Sequence, residues 1–446
     1  MRAPVRKAGA ALTGVFLLGA ACTYYNAIYN AEHLFEEAER LRREGRDSLA
    51  AERYEDVIRK AADGFRSDPV GGWAYESSYL LGRAHLRRGD LEAARAALGH
   101  SAGLAENPDE RLAAQVYEGV VEARLGHGEA AIALFNEALA GASDPAVRGE
   151  GHLHRGRLLL ERGLTDAGWW DLDRAASVYP PIRAEADLER LAWGIERDDP
   201  VRVRESVSRL LSYPEAAARA DALVGLLRGA ERRWGSRAAV AFLDGAEDAA
   251  WERDVRDRMV LEHALMLRRA GAEAEAQERA QSVADGRGPW AARARVTLAS
   301  WTLEAADDVG DIFGLRAVLL PSVDRSEVSE LLAVIDRIEM LAFAGLDDPL
   351  AWFLAGEIAR DAVGAPRVAR DLFLAYATSA DDEPWAPKAL LAALQLTEGD
   401  AERARLLERL ERHPRSPYVL AARGRPAVGF EALEEELLSR LSGIRR

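Results

Sequence analysis

The sequence predicts an all-α chain built as a solenoid of antiparallel helix pairs, and three observations lead there. Ala, Leu, Arg and Glu dominate, all strong helix formers, while only 17 of 446 residues are proline and no alternating Val/Ile/Thr run stands out. Hydrophobic residues make up 48% and charged residues 30%, enough apolar material for a continuous core and too much for disorder. Small and large side chains also recur at one fixed spacing through the first half of the chain, the mark of a repeat array.

Taken in chain order, the first element is a leader. Arg2, Arg6 and Lys7 form a basic start, Ala8 to Ala21 carries no charge, and Leu18-Gly19-Ala20-Ala21 runs directly into Cys22, the only cysteine. A basic region, an apolar stretch and small residues make a signal peptide over 1–21. With its cysteine, the segment resembles the lipobox of bacterial lipoproteins, although Gly19 stands where that pattern usually has Leu and Leu18 lies one place further back. The resemblance implies that Cys22 is acylated, palmitate included, becomes the mature N-terminus and tethers the protein to the cell envelope. More than one acyl chain is needed for a firm anchor. In lipoproteins of familiar Gram-negative bacteria a residue other than Asp after the cysteine favours the outer membrane, so with Thr23 the resemblance implies an outer-membrane place facing the periplasm. The alternative is an uncleaved transmembrane helix with Tyr24, Tyr25 and Tyr29 at the interface, but the strongly apolar stretch falls short of the roughly 20 residues a span needs.

Residues 22–181 form the first array. Ala31 to Pro69 reads as a lengthened helix pair, with Leu34, Ala38 and Leu41 on one helix and Ala51, Tyr54 and Val57 on the next. Gly82, Gly119 and Gly156 then stand 37 residues apart in similar settings. Twelve residues after each comes Ala94, Ala131 or Gly168, and sixteen after each comes Leu98, Phe135 or Leu172. Turns are expected at Arg88-Gly89-Asp90, Gly126-His127-Gly128 and Arg162-Gly163-Leu164, with Pro108, Pro145 and Pro180–Pro181 closing the three units. These residues resemble the tetratricopeptide repeat (TPR), a helix–turn–helix unit of about 34 residues in which small residues let helices approach and a large one fills the gap between units. With the Cys22 leader, the chain resembles TPR lipoproteins of the bacterial envelope and, more distantly, the outer-membrane assembly lipoprotein BamD.

Over 182–346 the period blurs, with breaks near Asp199-Pro200, Tyr213-Pro214, Gly271, Gly288-Pro289 and Leu320-Pro321, while amphipathic spacing persists at Val260-Leu261 and Ala264-Leu265. Repeats sharpen again over 347–424, where Trp352, Gly356, Leu372 and Ala375 make one unit and Trp385 to Arg412 another. A terminal stripe of Phe430, Leu433, Leu437, Leu438, Leu441 and Ile444, within 425–446, is expected to cap the array, because an end repeat must hide its open apolar face; docking a partner is the other use for such a stripe. Roughly 18 to 22 helices are expected in all.

Net charge is −15, and losing Arg2, Arg6 and Lys7 makes the mature chain more acidic still. Nucleic acid, which needs clustered positive charge, is thereby excluded as a partner. No nucleophile elbow, phosphate loop or zinc-helix motif occurs, so no enzyme and no small-molecule cofactor is expected. His152 and His154 stand two apart on a helix and face opposite sides, so no metal site is expected there. The acidic runs Asp307-Asp308-Val309-Gly310-Asp311 and Asp381-Asp382-Glu383 lack calcium-loop order and read as solvated connections. Trp169-Trp170 reads as core, with carbohydrate stacking as the alternative.

One surface stands out. The repeat phase places Tyr79, Arg83, Arg87, Val116, Val120, Arg124, Leu153, Arg157 and Leu160 on the inner face of the first helices. Arginines there, among them Arg83, Arg87, Arg124 and Arg157, suit an extended partner segment bearing acidic or C-terminal carboxylates, since guanidinium pairs with carboxylate through two parallel hydrogen bonds. The competing reading pairs them with Glu76, Glu122 and Glu150. A scaffold for envelope proteins or peptide segments, in outer-membrane assembly or secretion, is therefore expected; a polysaccharide- or peptidoglycan-binding module is the alternative.

Overall fold

The structure is a computed structural model that describes residues 28–42 and 46–444; the leader and Cys22 lie outside the described residues. A helix over 28–42 (α1) is followed by 23 α-helices between Asp47 and Ile444, and the described residues contain no strand. The fold is an α-solenoid in which helices pack on their neighbours in sequence. Two compact units divide after Met259. None of the described helices is long and apolar enough to cross a membrane.

The first unit holds α2 (Asp47–Ser67), α3 (Ala74–Arg88), α4 (Leu91–Leu104), α5 (Pro108–Arg124), α6 (Gly128–Gly141), α7 (Pro145–Glu161), α8 (Thr165–Val178), α9 (Arg183–Glu196), α10 (Pro200–Ser212), α11 (Ala220–Trp234) and α12 (Ser236–Ala239). α13 (Arg253–Arg269) contains the division. The second unit holds α14 (Glu273–Ala284), α15 (Pro289–Ala305), α16 (Val309–Phe313), α17 (Leu315–Leu319), α18 (Ser326–Ala344), α19 (Leu350–Asp361), α20 (Pro366–Ser379), α21 (Ala386–Gln395), α22 (Asp400–Leu410), α23 (Pro417–Ala422) and α24 (Phe430–Ile444). The helix number exceeds the sequence expectation because α12, α16, α17 and α23 are only four to six residues long.

Three helix pairs of the first unit share one packing device. A Cβ at Gly82 would lie 2.6 Å from Leu98 Cγ, one at Gly119 2.7 Å from the Phe135 ring, and one at Gly156 3.2 Å from Leu172. The missing side chain is what lets the second helix of each pair lie against the first. The large residue thus fills a notch inside its own pair rather than only the gap between pairs. The turns repeat as well: Gly89, Gly126 and Gly163 have φ of 86°, 87° and 80°, where an L side chain is strained. Each ends its helix in a Schellman pattern, as in Gly126 N–H to Ala123 O and His127 N–H to Glu122 O. Asp198 takes the same place in the next turn at φ 61°, with its carboxylate accepting from Arg233 and Trp234.

The prolines do a different job from the one expected. Pro108 and Pro145 are the first residues of α5 and α7, behind Asn107 and Asp144, whose side chains accept from Glu110 N–H (2.9 Å) and Ala146 N–H (2.8 Å). Proline at that position loses no helical hydrogen bond, so these residues open the next unit instead of closing the last.

In the second unit Gly356 meets Phe373 (3.0 Å), not Leu372. The terminal stripe packs on the core of the second unit. Leu437 and Leu441 are buried, Phe430, Leu433 and Ile444 are partly buried on the same core, and Leu438 stays exposed. Trp385 Nε1 donates to Leu433 O (3.1 Å) and Lys388 pairs with Glu434 (2.8 Å), fixing α24 on α21.

The notch predicts an asymmetric pair of variants. Phe135→Ala should lower unfolding free energy by about 3–5 kcal/mol through the cavity it leaves. Gly119→Ala, a nominally helix-favouring change, should lower it by about 1–3 kcal/mol through overpacking. Urea unfolding followed by circular dichroism measures both, and a neutral or stabilising Gly119→Ala would remove the notch argument.

Candidate functional site

The first helices of successive pairs bring their polar side chains to one face of the first unit. Two concavities adjoin there. One, of about 280 Å³, is lined by α1 (Phe35, Glu39), α3 (Arg83, Arg87), α5 (Tyr117), α7 (Glu150, His154) and α9 (Glu185). The other, of about 370 Å³, is lined by Arg87, Val120, Arg124, His154, Arg157 and Glu161 among others. Arg87, Arg124 and Glu161 are equivalent positions of consecutive repeats, as are Arg83, Val120 and Arg157. All four sequence-predicted arginines therefore reach this face. Tyr79 lines neither concavity; it stacks on Tyr75 (centroids 5.6 Å apart) and backs Arg83. Val116 and Leu160 turn into the core. Cys22, the predicted lipid site, lies outside the described residues.

Each arginine has different surroundings. Arg87 Nε donates to Glu39 Oε1 at 2.6 Å, and Glu39 also accepts from Tyr54 Oη (2.6 Å) and Arg42 (2.9 Å). Burial would raise the Glu39 carboxyl, but the Arg87 and Arg42 charges and the Tyr54 hydroxyl overcome it and hold it at about 2. Arg157 reaches Glu185 (2.7 Å) and Glu189 (2.8 Å), and Glu185 is likewise held at about 2 against its burial. Among the described residues Arg83 has no such partner within salt-bridge distance and its Nε is buried without a hydrogen bond; its guanidinium lies 4.5 Å from the Phe35 ring centroid and 4.6 Å from that of Tyr117.

Arg124 differs from these. Among the described residues its guanidinium donates to Leu86 O (2.9 Å) and forms no ion pair with a carboxylate. Partial burial, then the Arg87 and Arg157 charges, pull its pKa down. Beside it His154 is pushed well below its usual value by burial, then by Arg157 and Arg87, and stays neutral. Burial raises the Glu150 carboxyl despite Arg83 and the Tyr117 hydroxyl. Chemically, the face offers the guanidinium of Arg124 to an anionic group, beside Arg87 and Arg157, which are already paired with carboxylates, and Arg83, which is packed on rings.

The pairing expected from nearby glutamates occurs, but with different acids. Glu122 is taken by Arg95 and His127, and the partners of Arg87 and Arg157 come from α1 and α9. Tyr117 and His154, 37 residues apart, were within reach of the repeat register, each one residue beyond a position assigned to the face. Glu39 and Glu185 lie outside the three-unit register and carried no such signal. His152 faces away, buried against Asp171 (2.7 Å), as the two-residue spacing requires. Among the described residues no three His, Cys, Asp or Glu side chains converge to hold a metal. Trp169 is core, whereas Trp170, expected there too, is 56% exposed, with Arg174 5.8 Å from its ring. Asp308 and Asp311 form a capping box on α16.

No family model and no curated protein matches the chain. Solved structures similar to it include a TPR protein from Parabacteroides merdae, at 16% identity over 57% of this chain and 92% of that one, with a TM-score of 0.30. The APC/C hetero-tetramer Cut9–Hcn1 is another, at 12% identity over 93% and 98% of the two chains and a TM-score of 0.26. The TPR domain of P58(IPK) is a third, at 14% identity, 82% and 98% coverage and a TM-score of 0.22. The likeness is one of fold alone.

The Glu39 network predicts a pH-dependent stability. Its folded carboxyl sits near 2 against an ordinary 4.5, so the contribution is complete above about pH 5 and fades as pH falls toward 2. Glu39→Gln should therefore cost about 3 kcal/mol of unfolding free energy at pH 7 and well under that at pH 3. Denaturant unfolding at the two pH values measures it; a cost that is the same at both would show that the charge of Glu39 is not what matters.

Proposed function

We propose that this protein is an envelope-tethered scaffold whose first-unit face captures an extended partner segment by a carboxylate seated on Arg124. The observation that carries this reading is the guanidinium of Arg124, which forms no ion pair among the described residues, Glu161 of its concavity included, while its neighbours Arg87 and Arg157 are already paired. An incoming carboxylate satisfies Arg124 and relieves its repulsion with two nearby cations. α-Solenoids act through the extended surfaces they present, which supports a protein-binding role. The rings of the face favour protein over polysaccharide: Phe35, Tyr117 and Phe135 are buried and packed on Arg83 or on His154, leaving no open aromatic platform there for a sugar.

The envelope address rests on the leader. Cys22 at the end of an apolar stretch supports a lipid anchor, with the outer membrane as the proposed site and assembly or secretion machinery as the proposed setting. Expression of the full-length protein in its host, light cross-linking and recovery of partners tests both halves. Arg124→Glu should reduce partner recovery roughly tenfold or more, while the exposed Arg66→Glu leaves it unchanged. Cys22→Ala should move the protein from the membrane to the soluble fraction. Undiminished recovery with Arg124→Glu would remove the carboxylate reading, and a Cys22→Ala protein that stays on the membrane would remove the anchor.

A further inference from the structure

The second unit carries a concavity of the opposite chemistry. The connection between α20 and α21 places Asp381, Asp382 and Glu383 on its rim, Asp348 comes from the turn before α19, and Arg440 from α24, around a space of about 300 Å³. Tyr376 of α20 lines it from beneath. The residue is 0% exposed, its ring set edge-on to Phe353 at 5.4 Å, and its hydroxyl has no hydrogen-bond partner among the described residues. A buried hydroxyl left unpaired costs about 1–3 kcal/mol, so this one is an invitation to a ligand or a water.

Several observations indicate what kind of ligand. Burial, then the charges of Glu383 and Asp348, raise the Tyr376 pKa, with Arg440 acting the other way, so the group remains a hydroxyl. The rim carboxylates are poorly compensated. Asp381 lies 3.6 Å from His413 Nε2, Asp348 accepts from Leu350 N–H (3.1 Å), and Asp382 and Glu383 form no ion pair among the described residues. Arg440, the one cation among the described residues lining the space, is already placed 3.5 Å from Glu436 and over the Trp385 ring at 5.0 Å. Four carboxylates around a neutral hydroxyl call for a cation with several N–H donors. A guanidinium fits best, since its planar fork donates to the Tyr376 oxygen and to a carboxylate at once. A bare metal ion fits poorly, because no three described acids or imidazoles converge on one point.

The surroundings favour a side chain on a polypeptide over a free small cation. The same Asp381–Glu383 turn also borders a second, more open concavity of about 590 Å³, edged by Pro384, Pro387, Pro414 and Pro417. Residues flanking a seated cation have room to continue there.

We infer that the concavity above Tyr376 seats an arginine side chain of a partner protein, held by the Asp381–Glu383 rim and by the Tyr376 hydroxyl. The test uses the full-length protein labelled with 13C in its tyrosine rings, the Tyr376 signal being identified by its loss in Tyr376→Phe. A short Gly/Ser peptide with one central arginine should shift that signal, and the same peptide with neutral citrulline should not. The double variant Asp382→Asn, Glu383→Gln should weaken arginine-peptide binding about tenfold with an unchanged thermal melt. Three outcomes would overturn the inference: equal shifts with both peptides, no shift with either, or unchanged affinity in the well-folded double variant. Free arginine amide binding as tightly as the peptide would assign the site to small cations and overturn the partner-protein claim.

Discussion

The contact of one glycine with one large side chain sets the geometry on which the first unit depends. Gly82 with Leu98 and Gly119 with Phe135 bring two antiparallel helices closer than a Cβ at the glycine would allow, and Gly156 with Leu172 leaves only a tight fit. Interiors are close-packed and tolerate little slack, so the contact fixes how the second helix lies on the first. Repeated every 37 residues, it makes each pair a near copy of the last. Equivalent residues then fall into rows, and the chemistry of the exposed face is decided by what occupies each row. One row reads Arg87, Arg124, Glu161; its neighbour reads Arg83, Val120, Arg157. The face is a consequence of packing first and of charge second.

Charge in such a place needs an answer. Guanidinium groups withdrawn from water lose hydration that only close, well-made pairs restore. Arg87 finds its answer in Glu39 of α1, and Arg157 in Glu185 and Glu189 of α9, so the helices at either end of the row supply the acids. Arg83 is answered by rings instead. Arg124, at the middle of the row, forms no ion pair with either end helix among the described residues. The result is one local vacancy for an anion inside a nearly balanced patch, a pattern that selects a partner by position more than by long-range attraction.

The parts legible in the sequence are those where packing demands a residue type. A notch needs glycine, its filler needs bulk, and a left-handed turn needs glycine again, so Gly119, Phe135 and Gly126 announce themselves. Other residues carry no such signature. Pro108 and Pro145 look the same whether they end one helix or begin the next, and only the capping bonds of Asn107 and Asp144 decide. Glu39 and Arg87 are 48 residues apart, a separation unrelated to the repeat, so their pairing had no pattern to betray it. Trp169 and Trp170 are adjacent on one helix, and adjacent helical residues point about 100° apart, which sends one to the core and the other to solvent. The Tyr376 concavity draws on α19, α20, α24 and a turn, elements that only the folded second unit brings together.

The two candidate sites work by the same physics with the signs exchanged. Around Arg124, partial burial and then two neighbouring cations depress its pKa, so an anion gains both its own pair and relief from the nearby positive charge. Around Tyr376, rim carboxylates flank a neutral hydroxyl, and a cation collects the corresponding gain. The background differs, however. A net charge of −15 opposes the approach of an acidic segment and favours that of a basic one. Recognition at Arg124 therefore has to come from short-range fit within the concavity, where screening by salt matters less. Recognition at the exposed carboxylate rim draws on the general field of the protein as well as on contact, and weakens as ionic strength shortens the reach of that field.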